Sequence, residues 1–359
     1  MTRYLLAGGG TAGHVNPLLA TADEIRSRRP DDEVLVLGTA EGLEARLVPL
    51  RGYELSVIPR LPFPRRPNGA ALRFPGVFRA AVAEIVGMIR ARGIDAVVGF
   101  GGYAAAPAYL AARWARIPFT VHEANARPGL ANWLGARSTP WVGVAFEGTR
   151  LPHAQVVGMP LRREIAELDR AANRDEAIST FDLDASRPTL LVTGGSLGAR
   201  RINMTVHASA AALVATGFQV LHITGERAEV TDPGIVGYHL LRYCDRMDLA
   251  LAVADLAVSR AGAATVSELS ALGIPAIYIP YPVGNGEQRF NARGVVAAGG
   301  GLLLEDALFV PEWVERELVP LLGAASRRED MARRTASVGV RNGSSRLVDL
   351  VEKSIGAAS

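Results

Sequence analysis

The sequence predicts an α/β protein of two Rossmann-like domains whose parallel sheets face a central cleft. Three observations carry that expectation. A strand–glycine–helix corner occurs twice, as Leu5-Leu6-Ala7-Gly8-Gly9-Gly10-Thr11-Ala12-Gly13 and as Leu190-Leu191-Val192-Thr193-Gly194-Gly195-Ser196-Leu197-Gly198. Continuous apolar runs alternate with helical patterns through both halves, as strands covered on both faces of a parallel sheet require. The 359 residues are enough for two hydrophobic cores.

In the first half, strands are read at Tyr4–Ala7, Glu33–Leu37, Ala96–Val98, Phe119–Val121 and Val142–Val144. In the second they are read at Thr189–Val192, Gln219–Ile223, His239–Leu241, Leu256–Val258 and Ala276–Ile279. The crossover Val157-Gly158-Met159-Pro160 and the polar stretch 171–187 separate the halves, giving domains over 1–160 and 161–340. The tail over 341–359 has a weak helical period and is expected to pack back on the first domain.

Composition excludes several classes. With 49% hydrophobic and 21% charged residues the chain is ordinary and globular. A single cysteine, Cys244, leaves no disulfide or Cys-rich zinc pattern, and the chain opens without a secretory signal, so a cytoplasmic location is expected. The uncharged run 96–112 is broken by Gly99, Gly101, Gly102 and Pro107 and is too short to span a bilayer. Net charge is only +3, yet between Arg60 and Arg92 seven arginines face one acid, Glu84. Phe63, Arg65, Arg66, Arg73, Phe74, Phe78 and Arg79, with Trp114 beyond, therefore read as a peripheral contact with an anionic membrane, since no nucleic-acid motif accompanies them.

Each glycine corner reads as a phosphate seat, because glycine lets backbone approach a ligand and the helix start offers unpaired N–H groups. Gly8, Gly10 and Gly13 formally satisfy the dinucleotide fingerprint, but only Glu41 stands near the end of the next strand as a ribose-reading acid. His14 follows the last glycine at a helix start and is a candidate general base. In the second half, Gly262 opens a helix carrying Thr265-Val266-Ser267-Glu268, whose carboxylate suits a vicinal diol. Gln288 and Asn291 share one helix face, with carboxamides suited to sugar hydroxyls. Asp182-Leu183-Asp184 imitates a metal-binding pair, but lies in a polar linker, and no metal site is expected.

Gly9-Gly10-Thr11-Ala12-Gly13-His14, Asn16-Pro17, Gly99-Phe100-Gly101-Gly102-Tyr103, His122-Glu123-Ala124-Asn125, Gly158-Met159-Pro160-Leu161-Arg162, Gly194-Gly195-Ser196-Leu197-Gly198-Ala199-Arg200, Thr265-Val266-Ser267-Glu268 and Gln288 with Asn291-Ala292 occur in one order. Together they resemble the MurG family, which makes lipid II from lipid I with UDP-N-acetylglucosamine (UDP-GlcNAc) in bacterial peptidoglycan synthesis. The resemblance spans nearly the whole chain.

It implies a GT-B fold and a peripheral position on the cytoplasmic face of the plasma membrane. It places Gly10, Thr11, Ala12, Asn125, Arg162, Ser196, Cys244, Ala263, Ala264, Thr265, Val266, Ser267, Glu268, Gln288 and Asn291 at the UDP-GlcNAc donor. Thr11, His14, Gly101, Gly102, Tyr103 and Glu123 fall to the undecaprenyl-diphosphate acceptor, lipid I. No cofactor is implied, and cell-wall and division proteins are implied as further partners. Ala12 stands where the family often has glycine, and Cys244 where it often has isoleucine. A UDP-GlcNAc 2-epimerase on the same fold, a nicotinamide dehydrogenase and a catalytically silent sugar-nucleotide binding protein are the competing readings.

Overall fold

The computed structural model describes residues 1–61, 69–195, 198–283 and 286–358, the side chains of 69–71 excepted. The chain forms two units, Met1–Arg162 joined by Asn342–Ser359, and Arg163–Arg341.

The first unit holds seven parallel strands: β1 (Arg3–Ala7), β2 (Glu33–Gly38), β3 (Glu54–Val57), β4 (Ala96–Gly99), β5 (Phe119–Glu123), β6 (Val142–Val144) and β7 (Ala154–Val156). Their order is β3-β2-β1-β4-β5-β6-β7. The chain winds outward from β1 in one direction, then returns to β4 and winds outward in the other. The crevice where the winding reverses lies beyond the carboxyl ends of β1 and β4, where open α/β sheets bind ligands.

The apolar run of β1 is continuous because both faces of the sheet are covered. Leu5 and Ala7 pack with Val82, Ile85, Val86 and Ile89 of the helix Gly69–Arg92 and with Ala105, Ala108 and Tyr109 of the helix Ala105–Ala115. Tyr4 and Leu6 point to the opposite face, against Val15, Leu18 and Ile25 of the helix Ala12–Arg28 and Leu347, Val348 and Val351 of the helix Gly343–Gly356. That last helix is also tied by Arg28, whose guanidinium lies 2.6 Å from Asp349 and donates to the Ser345 carbonyl at 2.9 Å.

The second unit repeats the scheme with β8 (Thr189–Thr193), β9 (Gln219–Ile223), β10 (Tyr238–Leu241), β11 (Ala254–Ser259), β12 (Ala276–Tyr278) and β13 (Gly301–Leu303), in the order β10-β9-β8-β11-β12-β13. Here the winding reverses between β8 and β11. The loops after these two strands are Gly194–Gly198 and Arg260–Gly262, both singled out by the sequence. Strands β3, β7 and β13, absent from the sequence reading, are three of the four sheet edges, β10 being the fourth: β7 is exposed at every residue, and β3 and β13 carry partly exposed ones.

Candidate functional site

At the switch point of the first unit two glycine loops press together. Gly101 and Gly102 both have positive φ, +92° and +77°. A Cβ on Gly101 would stand 3.1 Å from His14 Nε2, and one on Gly102 would stand 2.5 Å from the Gly9 carbonyl oxygen. Only glycine allows both the backbone conformation and the approach. His14, in the first turn of its helix, is half-buried, and its Nδ1 lies 3.1 Å from the Gly9 carbonyl oxygen and 3.3 Å from Thr11 Oγ1. A carbonyl can only accept, so this contact calls for the proton on Nδ1, and in the neutral ring Nε2 then holds the lone pair. Tyr103 lies in the same loop, its hydroxyl accepting from Arg60 at 3.1 Å while that guanidinium sits 4.8 Å above its ring. Arg60 was not singled out as a site residue.

Nor was Glu44. It begins the short helix Glu44–Leu50 that follows β2, is fully buried, and accepts the Gly10 N–H at 2.8 Å through Oε2. Its Oε1 accepts the Thr39 N–H at 2.9 Å and the Thr39 hydroxyl at 2.8 Å. Burial alone would raise its pKa, but the donated hydrogen bonds outweigh it and hold the carboxyl below its ordinary value. Any Cβ on Gly9, Gly38 or Gly42 would collide with this side chain. Glu41, the acid the sequence offered near this position, is exposed.

Glu123, expected at the acceptor, ends β5 and is held within its own loop. It is 2% exposed and its carboxylate accepts the backbone N–H of Asn125 at 2.9 Å and of Gly129 at 3.0 Å, and the Asn132 amide at 3.0 Å. The carboxylate is surrounded by its own loop and shapes the stretch that presents Asn125. Arg162 ends the first unit's continuous segment.

In the second unit the β8 corner donates otherwise. The Gly195 N–H goes to the Thr193 hydroxyl at 3.3 Å and the Gly198 N–H to the Gly195 carbonyl at 2.9 Å. Gly262, in extended conformation, starts the helix Ala263–Ala271. Ala263, Val266 and Ser267 are buried, while Ala264, Thr265 and Glu268 are partly exposed. Asn291 is 1% exposed and donates to the Ala261 carbonyl at 3.2 Å, so it braces the corner from inside. Gln288 accepts the Tyr281 N–H at 2.9 Å and fixes the neighbouring loop. Cys244 lies in the loop after β10, where burial pushes its thiol up to about 11. Ser196 lies outside the described residues, as do Phe63, Arg65 and Arg66.

Phe74 and Phe78 are only partly exposed, their ring centroids 5.6 Å apart, and Phe78 packs against the core. The apolar side chains that reach solvent there are Leu72, Val77 and Trp114, beside exposed Arg73 and Arg79. Asp184 accepts from Ser186 at 2.8 and 2.6 Å and closes a turn. Among the described residues no three His, Cys, Asp or Glu side chains group as metal ligands.

Residues 4–140 match the glycosyltransferase family 28 N-terminal domain, and residues 189–347 its C-terminal domain. The UDP-N-acetylglucosamine–N-acetylmuramyl-(pentapeptide) pyrophosphoryl-undecaprenol N-acetylglucosamine transferase of Leifsonia xyli subsp. xyli is 69% identical over 358 residues, with 100% of each chain covered. Its Streptomyces coelicolor counterpart is 49% identical, with 98% of each covered. The crystal structure of Acinetobacter baumannii MurG aligns at TM-score 0.80 and 27% identity over 98% of this chain and 100% of that one. The chain belongs to the MurG family. Its fold is GT-B, with one family 28 domain built on each sheet. A UDP-GlcNAc 2-epimerase from Neisseria meningitidis aligns at TM-score 0.70 and 15% identity over 98% of this chain and 100% of that one, a likeness of fold alone.

Proposed function

We infer that the chain carries out the reaction for which its family relatives are named. It is a UDP-GlcNAc-dependent N-acetylglucosaminyltransferase that places the sugar on lipid I and gives lipid II. The reaction is an inverting displacement: the 4-hydroxyl of the acceptor's MurNAc attacks the anomeric carbon, UDP leaves, and the hydroxyl proton passes to a base. His14 is that base. The observation that carries this assignment is the 3.1 Å contact from Nδ1 to the Gly9 carbonyl, which leaves Nε2 as the proton acceptor.

Negative charge grows on the leaving diphosphate. The N–H groups at the helix starts beyond Gly198 and Gly262 are the donors this reading assigns to it, and the scheme takes no metal. Loss of one such preorganised donor typically costs about 2.7–4 kcal/mol of transition-state stabilisation. The same reading attaches the first unit to the anionic cytoplasmic face of the plasma membrane. Its support is the exposed Leu72, Val77 and Trp114 among arginines, on two helices that pack together. No helix among the described residues is long and apolar enough to cross a membrane.

The test is incubation with UDP-GlcNAc and a short-chain lipid I analogue, with chromatography of the products. Disaccharide and UDP are expected, and His14→Ala is expected to lower kcat by about 10²–10⁴. Epimerised sugar nucleotide without disaccharide would favour the 2-epimerase, and a near-normal kcat for His14→Ala would remove the base.

A further inference from the structure

The Gly9 carbonyl and the Gly10 N–H belong to one peptide group. On one side, Glu44 Oε2 accepts the N–H at 2.8 Å; on the other, the carbonyl lies 3.1 Å from His14 Nδ1. The carboxylate, the peptide and the imidazole are therefore in series. An acceptor on an amide N–H pushes electron density onto the amide oxygen, and hydrogen bonds arranged in a chain strengthen one another. A carboxylate acting directly on an imidazole Nδ1–H fixes its tautomer and stabilises the imidazolium. Here the peptide bond stands between the two.

We propose that Glu44 is a positioning residue for His14, acting through the Gly9–Gly10 peptide to hold the Nδ1–H tautomer and make Nε2 a stronger base. The proposal rests on the reading of His14 as the base. Four features fit it. Glu44 is shut off from solvent, so its charge is screened far less than a surface carboxylate's. Its second oxygen is held by both Thr39 donors, so the carboxylate cannot turn away from Gly10. Gly9, Gly38 and Gly42 leave the volume it fills. Gly102, pressed on the same Gly9 backbone from above, keeps the carbonyl from swinging off the imidazole.

Glu44→Gln keeps the shape and removes the charge. It is expected to lower kcat roughly 10–100-fold, as loss of a group that orients a functional histidine does, with KM for UDP-GlcNAc unchanged within about twofold. In a His14→Ala background the same substitution is expected to have no further effect on kcat. Long-range ¹H–¹⁵N correlation spectra are expected to show the Nδ1–H tautomer of His14 in the unaltered protein and a tautomer mixture in Glu44→Gln. An equal loss of kcat with and without His14, or His14 nitrogen signals unchanged by Glu44→Gln, would overturn the proposal. If the variant does not fold, the unaltered protein decides alone: a dominant Nε2–H signal overturns it. The spectra need no turnover, so a failure of His14 as base, read from His14→Ala, is separable from a failure of this coupling.

Discussion

The two glycine corners are near copies in sequence and differ in what lies beneath them. Under the first, a buried carboxylate takes the Gly10 N–H and the peptide's other side holds a histidine. In the second, the Gly195 and Gly198 amides go to a hydroxyl and a carbonyl, both neutral. A corner with negative charge at its floor repels phosphate, whereas one closed by neutral acceptors retains the attraction of its helix start. The motif fixes the backbone path, and the residue that fills the space under it sets the charge the corner presents.

Matched glycine substitutions break this comparison most sharply. Gly102→Ala forces a Cβ against the Gly9 carbonyl at φ +77°, and Gly198→Ala one against the Thr224 carbonyl at φ +80°. The first is expected to lower kcat about 10²-fold, as misplacement of a reacting group by about 1 Å does, with UDP affinity intact. The second is expected to weaken UDP binding about tenfold, or about 1.4 kcal/mol. Calorimetric titration with UDP beside steady-state kinetics reads both; equal loss of UDP affinity in the two variants would make the corners equivalent.

Each unit also buries one strand histidine, which extends the comparison to stability. His122, whose Nε2 lies 3.1 Å from the Gly158 carbonyl, and His222, between Tyr238 and Asn203, are each lowered to about 4, chiefly by burial. Both stay neutral in the folded chain, whereas the unfolded chain protonates near the ordinary value of 6.5. Falling pH therefore favours unfolding from about 6.5 down to about 4, and stability is fully present above that window. Urea unfolding at about pH 7 and about pH 4.5 is expected to differ by about 2–3 kcal/mol for each unit. A transition insensitive to pH in either unit would remove its histidine from the account.

The smallest expected effect separates the membrane face from the core beside it. Replacing Leu72, Val77 and Trp114 with serine is expected to weaken sedimentation with anionic vesicles by about 1–3 kcal/mol for each side chain that enters the bilayer surface, without loss of fold. Phe78→Ser is expected to lower the unfolding temperature, because that ring packs on the core. Unaltered vesicle binding in the triple variant would move the contact elsewhere.

The central strands were legible because burial on both faces writes an uninterrupted apolar run, as in Tyr4-Leu5-Leu6-Ala7. Edge strands such as Ala154–Val156 were not, because a short exposed strand carries no such signal. His14 and the Gly262 helix start were visible as motifs. Glu44 was not: its stretch Glu41-Gly42-Leu43-Glu44 reads as a polar turn, and the contact with Gly10 spans 34 positions of chain. Asn291 and Glu123 were noticed for their chemistry, yet their roles depend on which backbone group lies in reach, and local spacing does not encode that.

Because Leu347, Val348 and Val351 share the cover of the Tyr4 and Leu6 side of the first sheet with the helix Ala12–Arg28, that sheet keeps part of one flank bare until residue 356 has been translated. On the ribosome, the middle of the chain has every strand it needs while the beginning still waits for its lid. The unit made first is therefore the one finished last, and a nascent chain halted near residue 341 presents a greasy surface to the chaperones around it.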